Sequence, residues 1–355
     1  MTNIKRVAVA MSGGVDSSVA AALLVESGVE TFGLMMRLWS ADPKGYNRCC
    51  SPEDVALARQ VASQLDIPLT LVDVKDLFKK HVVDTFIEGY AHGMTPNPCV
   101  ACNQFVRWGF LLRHAVDMGA THLATGHYAR VKTINNRHSL LRGLDVEKDQ
   151  SYVLSFISEQ DLSHTLFPLG GYTKKEVRKL AHRMSLSVAE KPESQDLCFI
   201  TSGNYRDFLR QQDVKLPPPG PIIDQEGNIL GQHSGLANHT IGQRRGIGIS
   251  MPYPLYVLKK DIASNTLIVG PKDALGRQQF RAGPMNWISS EHAPSPTNIR
   301  VQVRYNAKAV NATVEPLQNG IVNVALKEKL HDITPGQAAV FYDDIMCLGG
   351  GIILP

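Results

Sequence analysis

The chain has 355 residues, with 37 Lys and Arg against 33 Asp and Glu, 43% hydrophobic residues, 20% charged residues, 29 Gly and 20 Pro. This composition excludes collagen-like, disulfide-dense and wholly disordered classes, and the length predicts two or three domains, because single cores stop growing near about 250 to 300 residues. No apolar run approaches the roughly 20 residues of a membrane helix, and residues 7–11 are too short for a signal-peptide core, so no membrane is expected.

Residues 6–11 read as a strand, 17–27 as a helix closed by Gly28, 30–38 as a strand, 52–65 as a helix and 69–74 as a strand. The second helix shows its start: Ser51 as N-cap, Pro52 at the first position, Glu53 and Asp54 in the first turn. Strands alternating with helices predict an α/β fold, a doubly wound parallel sheet with helices outside. Further on, 104–117 predicts a helix ended by Gly119, 122–125 a buried strand, and Asn135-Asn136 a hairpin turn between 128–134 and 138–142. A last helix begins at the capping box from Thr173 to Glu176.

Pro217, Pro218, Pro219, Gly220 and Pro221 continue neither a helix nor a central strand, and they mark a domain boundary. Gly-rich segments and short strands at 222–224 and 255–258 follow, then a weaker linker at 289–296. Strands at 299–305, 310–314, 321–326, 338–342 and 345–348 predict a small barrel or sandwich. Charge is uneven along the chain: 241–281 sums to +5 through Arg244, Arg245, Lys259, Lys260, Lys272, Arg277 and Arg281 against Asp261 and Asp273. Such a segment suits a nucleic-acid backbone, with a solvated face as an equal alternative.

Between the first strand and the first helix lies Ser12-Gly13-Gly14-Val15-Asp16-Ser17-Ser18, where an open α/β sheet presents a helix N-terminus to a ligand. Two glycines let backbone N–H groups approach an anion, the serines add hydroxyl donors, and Asp16 is placed to hold Mg²⁺ or orient a donor. No Gly-Lys-Ser/Thr ends the loop, so it is not a Walker motif. A bare Gly-Gly turn would be an ordinary connection; strand, loop and Ser-rich helix start together predict a phosphate site.

The six cysteines, Cys49, Cys50, Cys99, Cys102, Cys198 and Cys347, are unevenly spaced and follow no secretion signal. They predict a reducing compartment, the cytoplasm, where thiols bind metal or do chemistry. Cys99 and Cys102 form a Cys-x2-Cys spacing in a loop stiffened by Pro96 and Pro98, just before the helix at 104–117, a placement that favours the Cys102 thiolate. Cys198 stands alone and is a candidate to face Cys102 across a site. Inert thiols, a metal or iron–sulfur site, and a sulfur-transfer pair compete; for Cys347, in apolar surroundings, the inert reading wins.

Taken in order, MSGGVDSS (11–18), TPNPCVACN (95–103), ATGHY (124–128), LLRGLDVEKDQSYVL (140–154), SQDLCFI (194–200), HTIGQRRGIGI (239–249) and TPGQAAVFYDDIMCLGGGII (334–353) resemble the bacterial tRNA-specific 2-thiouridylases of the PP-loop ATP pyrophosphatase superfamily. The resemblance spans nearly the whole chain. It implies a PP-loop adenylation and thiolation domain over 1–209, a small basic α+β connecting domain over 210–281 that binds tRNA, and a C-terminal β-barrel over 282–355. It further implies that ATP, with Mg²⁺, adenylates the anticodon wobble uridine, and that persulfide sulfur reaches carbon 2, giving 2-thiouridine, AMP and pyrophosphate. A sulfur-donor protein fed by a cysteine desulfurase would supply the sulfur.

Carried over by residue, Cys102 matches the nucleophile and Cys198 the persulfide carrier. Ala10, Met11, Ser12, Gly13, Gly14, Val15, Asp16, Ser17, Met36 and Gly126 match nucleotide contacts. Asn97, Pro98 and Cys99 match contacts to the target base, and His127, Lys148, Asp149, Gln150, Arg304, Tyr305 and Gln337 match contacts to the anticodon stem-loop. Without those motifs, His127 reads as a satisfied polar residue, Lys148-Asp149 as a surface ion pair, and Arg304 and Tyr305 as strand residues. Cys99 stands where many members have aspartate, so Cys99, Cys102 and Cys198 could instead carry a [4Fe-4S] cluster; Cys49-Cys50 is read first as structural or accessory. Two rivals need other features: an amide-forming PP-loop ligase needs an ammonia source and no essential thiols, and a non-catalytic tRNA-binding module needs no SGGVDS loop.

Overall fold

The computed structural model describes residues 4–41, 50–192, 197–201, 203–212, 214, 216–288 and 299–355. Cys49, the linker expected at 289–296 and the start of the 194–200 motif lie outside them. The first strands are β1 (Arg6–Ala10), β2 (Glu30–Arg37), β3 (Leu69–Asp73) and β4 (His122–Thr125), followed by a hairpin of β5 (Ala129–Ile134) and β6 (Arg137–Arg142), then β7 (Thr165–Leu166). Five of them pair in the order β3-β2-β1-β4-β7, each neighbour parallel. This is the expected doubly wound sheet. Val7, Ala8 and Val9 in the central strand are wholly buried, as helices on both faces require.

Helix α1 (Val15–Glu26) follows β1, and α2 (Pro52–Gln64) opens as expected on Ser51. The Ser51 hydroxyl accepts from the Asp54 N–H at 3.1 Å, and the Asp54 carboxylate accepts from the Ser51 N–H at 3.2 Å, a reciprocal cap. The helix expected from residue 104 begins instead at Pro98, with Asn97 as its cap and a π-wound stretch over Cys102–Leu111. Asn at the cap and Pro at the first position are a helix start, which the stiff-loop reading of the two prolines concealed. The helix from Thr173 is not the last: Tyr205–Gln211 follows, capped by Asn204.

The middle of the chain forms β8 (Gly220–Ile223), β9 (Ile229–His233), β10 (Tyr256–Asp261) and β11 (Thr266–Gly270), paired β10-β11-β8-β9 around Ile222, Val257, Leu267 and Val269. Then come β12 (Arg277–Ala282), β13 (Asn286–Trp287), β14 (Ile299–Gln302), β15 (Val310–Pro316), β16 (Val322–Leu330), β17 (Ala338–Asp343) and β18 (Met346–Ile352). Their sheet runs β12-β16-β15-β14-β17-β18, and the Ala282–Ile353 bridge brings its two ends together. Between the barrel and the sandwich left open by the sequence, this closure selects the barrel.

The same sheet continues past β18 into β6 and β5, with Leu141 opposite Met346 and Leu140 opposite Cys347. The hairpin that follows β4 therefore belongs to the barrel's sheet. The largest apolar cluster crosses the same seam: Phe78, Phe86, Trp108, Phe199 and Phe208 share it with Val340, Tyr342 and Cys347.

Candidate active site

The loop after β1 turns through Gly13 at φ +69°, a left-handed conformation that favours glycine. A Cβ there would overlap the Asp54 carbonyl. Gly14 caps α1 in extended conformation and offers the first turn no side-chain acceptor, so the N–H groups that open α1 are left to a ligand, as an anion site requires. The Ser17 and Ser18 hydroxyls donate to the Gly14 carbonyl at 3.1 and 2.9 Å, and the Ser12 N–H donates to the Ser17 hydroxyl at 3.2 Å. Gly126, just beyond β4, keeps the mouth open: a Cβ there would stand 2.7 Å from the Ser17 nitrogen. Ala10 at the end of β1, Met11 next to it and Met36 near the end of β2 share this carboxyl edge of the sheet, where open α/β sheets bind nucleotides.

Two lysines that sequence reasoning missed grip this loop. Lys174 Nζ donates to both Asp16 carboxylate oxygens at 2.7 and 2.8 Å, and the Tyr128 hydroxyl donates to one of them at 2.8 Å. Lys191 Nζ donates to the Gly13 carbonyl at 2.9 Å and pairs with the Asp54 carboxylate. Lys174 was visible in the sequence only as part of a capping box, and Lys191 carried no local signal at all. Asp16, read from the sequence as a candidate for Mg²⁺ or for orienting a donor, is thus engaged by Lys174 and Tyr128.

The helix start at Pro98 changes the placement of the thiols. Cys99 lies exposed in the first turn, where Asn97 Oδ1 accepts from its N–H at 3.1 Å, and Cys102 lies one turn further in, buried. The helix N-terminus therefore bears on Cys99 more directly than on Cys102. Cys198 is half-buried and packs against the same apolar cluster that contains Cys102. Among the described residues, no three His, Cys, Asp or Glu side chains form a group able to hold a metal ion.

The remaining expected residues are built into the frame around these thiols. His127 is buried, with Nδ1 2.7 Å from the Thr125 hydroxyl and Nε2 3.4 Å from Arg107 Nη1. Burial, and then the Arg107 guanidinium, hold its pKa well below the usual imidazole range, so the ring is neutral. Asp149 accepts from Arg142 at 2.6 Å, from the Gly143 and Ser151 N–H groups at 3.0 and 3.1 Å, and from the Ser151 hydroxyl at 2.9 Å. Gln150 Oε1 accepts from the Tyr128 N–H at 2.9 Å, and the Lys148 N–H donates to the Asp145 carbonyl at 3.2 Å. Arg304 donates to Ile241 O and the Thr334 hydroxyl at 3.1 and 2.6 Å, joining the middle unit to the barrel. Gln337 Nε2 donates to the Thr95 carbonyl at 2.7 Å, which pins the loop before Asn97 and Pro98 to the barrel. Tyr305 is partly exposed, and burial of its hydroxyl pushes the pKa up to about 12.

Most of the basic segment faces outward, with Arg244 and Arg245 exposed, and Arg244 lines a cleft of about 420 Å³ together with Met251 and Tyr253. Lys260 departs from this pattern. It turns inward to the His239 carbonyl at 2.9 Å, and burial lowers its pKa to about 8.

Three family models match the chain: the tRNA methyl transferase HUP domain over residues 5–202, the tRNA methyl transferase PRC-barrel domain over 206–271 and the aminomethyltransferase beta-barrel domain over 277–353. The chain is 47% identical to the tRNA-specific 2-thiouridylase MnmA of Magnetococcus marinus over 100% of both chains. It is 45% identical to the protein of the same name from Moorella thermoacetica, over 97% of this chain and 98% of that one. Among solved structures, a 4-thiouridine synthetase in complex with RNA and ATP is 19% identical over 58% of this chain and 50% of its own, at a TM-score of 0.37, too loose a likeness to carry an argument.

Proposed function

Because this chain belongs to the tRNA-specific 2-thiouridylase family, we propose that its ATP is held at residues 10–17 with Met36 and Gly126, and that its thiols Cys102 and Cys198 carry the sulfur. The enzyme is an ATP-dependent tRNA-uridine 2-sulfurtransferase. The observation that carries the reading is end-to-end identity to such enzymes at 47%, in a chain whose Cys102 and Cys198 border one apolar core.

The N–H groups opening α1 and the hydroxyl-lined loop bind the phosphates of ATP, with Mg²⁺ brought on the polyphosphate. Oxygen 2 of the wobble uridine attacks the α-phosphorus, and pyrophosphate leaves. The outer sulfur of a persulfide on Cys198 then attacks carbon 2, Cys102 attacks the inner sulfur, and the S–S bond breaks. AMP departs with its oxygen, sulfur remains on the base, and a Cys102–Cys198 disulfide is left for an external thiol to reduce.

Asn97, Pro98 and Cys99 flank the target base, and His127, Lys148, Asp149, Gln150, Arg304, Tyr305 and Gln337 form the frame that meets the anticodon stem-loop. An unpaired loop base costs little to extrude. The division into 1–209, 210–281 and 282–355, the cytoplasm as the working compartment and a persulfide-bearing donor protein belong to the same reading. No helix among the described residues is long and apolar enough to cross a membrane.

The test is nucleoside mass spectrometry of unmodified tRNA incubated with enzyme, ATP, Mg²⁺, a cysteine desulfurase with free cysteine as the persulfide source, and a thiol reductant that reopens the Cys102–Cys198 disulfide. Cys102→Ser and Cys198→Ser abolish 2-thiouridine, while Cys99→Ser retains it. Loss in all three variants would overturn the two-thiol assignment.

A further inference from the structure

Lys191 has no part in the assignment above, and the geometry points to it as the positioning residue of the phosphate loop. This inference rests on the reading that ATP binds that loop. Lys191 Nζ holds the Gly13 carbonyl at 2.9 Å. In a trans peptide the C=O and the following N–H point in opposite directions. Fixing the Gly13 oxygen toward Lys191 therefore turns the Gly14 N–H away from α2, and adds it to the N–H groups that the uncapped start of α1 leaves to a ligand.

The ammonium is itself held in place. It pairs with the Asp54 carboxylate, whose other oxygen accepts from the Ser51 N–H and hydroxyl at 3.2 and 3.0 Å. Lys191 stands in a stretch clamped by Arg178, which donates to the Ala189 and Lys191 carbonyls at 3.1 and 3.3 Å. Arg178 lies one helical turn beyond Lys174, the residue that holds Asp16. One structural unit thus grips the loop at two points, and the Asp54 carbonyl, which leaves no room for a Cβ on Gly13, closes the third side.

Asp54 neutralises the Lys191 charge, so Lys191 acts through the Gly13–Gly14 peptide and not as a phosphate ligand. Its removal lowers affinity for nucleotides that place phosphate in the loop and leaves affinity for adenosine intact. Losing one hydrogen bond from a charged donor corresponds to an about tenfold change in binding.

The experiment is calorimetric titration of Lys191→Met and of the double variant Lys191→Met/Asp54→Asn with ATP, adenosine and a tRNA transcript. The double variant leaves no uncompensated buried carboxylate, so it carries the test where the single variant does not fold. ATP binding weaker by about tenfold, with adenosine and tRNA binding unchanged, supports the assignment. Equal loss for ATP and adenosine, no loss at all, or a double variant that also fails to fold assigns Lys191 a merely structural role and overturns it. Wild-type protein that binds tRNA but not ATP overturns the ATP reading itself, and the role of Lys191 with it.

Discussion

At the scale of single residues, the side chains expected to touch tRNA divide by how fully they are already engaged. Asp149 accepts four hydrogen bonds, and Arg142, which also lies over the Tyr342 ring at 3.6 Å, depends on it for charge. Asp149→Ala leaves a half-buried guanidinium without its carboxylate, so it lowers unfolding free energy by about 3 kcal/mol. Denaturant unfolding reads this directly; an unchanged midpoint with weakened tRNA binding would make Asp149 an RNA contact instead. Cys347 gives the opposite case: burial pushes its pKa up to about 12, so alkylation of the native protein leaves Cys347 unmodified while exposed Cys99 reacts. Peptide mapping after iodoacetamide treatment checks both. The inert Cys347 was legible from its apolar neighbours, but the role of Asp149 was not, because a Lys-Asp-Gln triplet reads the same whether its carboxylate meets solvent or a buried arginine.

At the scale of elements, the periodic and punctuated segments were legible and the short, irregular ones were not. The βαβ succession and the cap on Ser51 could be read because hydrophobic period and cap chemistry agree there. The start at Pro98 was hidden because the helix opens inside a Pro-rich loop and then winds as π-helix, whose spacing matches no 3.6-residue pattern. That start depends on Asn97, whose side chain accepts from the Cys99 and Val100 N–H groups at 3.1 and 3.4 Å. Asn97→Ala costs about 1 kcal/mol of stability and frees the turn that presents Cys99. Thermal melting should show the loss, and Asn97→Asp, which can still cap, should recover most of it.

At the scale of the whole molecule, buried imidazoles set the response to acid. His127 is held low by burial and Arg107, and His239 is lowered to about 4 by burial and then by His233, Arg206 and Lys260. Both are neutral when folded and bind protons more readily when unfolded. Their contribution is therefore complete above the ordinary imidazole pKa of about 6.5 and is lost as pH falls through the window below it. Melting temperature falls between about pH 7 and about pH 5, and less so in His239→Gln; a flat profile in the wild type would sink this account. The seam between units could not be read from local patterns, because the partner of β6 lies near the far end of the sequence. Residues 1–209 expressed alone lack β18, leaving the edge of β6 and the apolar faces of Leu140 and Tyr152 uncovered, so they aggregate; a monomeric, cooperatively melting fragment would disprove it. The same pairing orders events on the ribosome. The hairpin leaves the exit tunnel early and waits for a strand translated long afterward, so the sheet that β5 and β6 share with the barrel is not complete until the barrel has been synthesised. A chain stalled or cut before residue 346 carries the loop after β1, Cys102 and Cys198, yet leaves the edge of β6 without its partner strand, open to pairing with another chain.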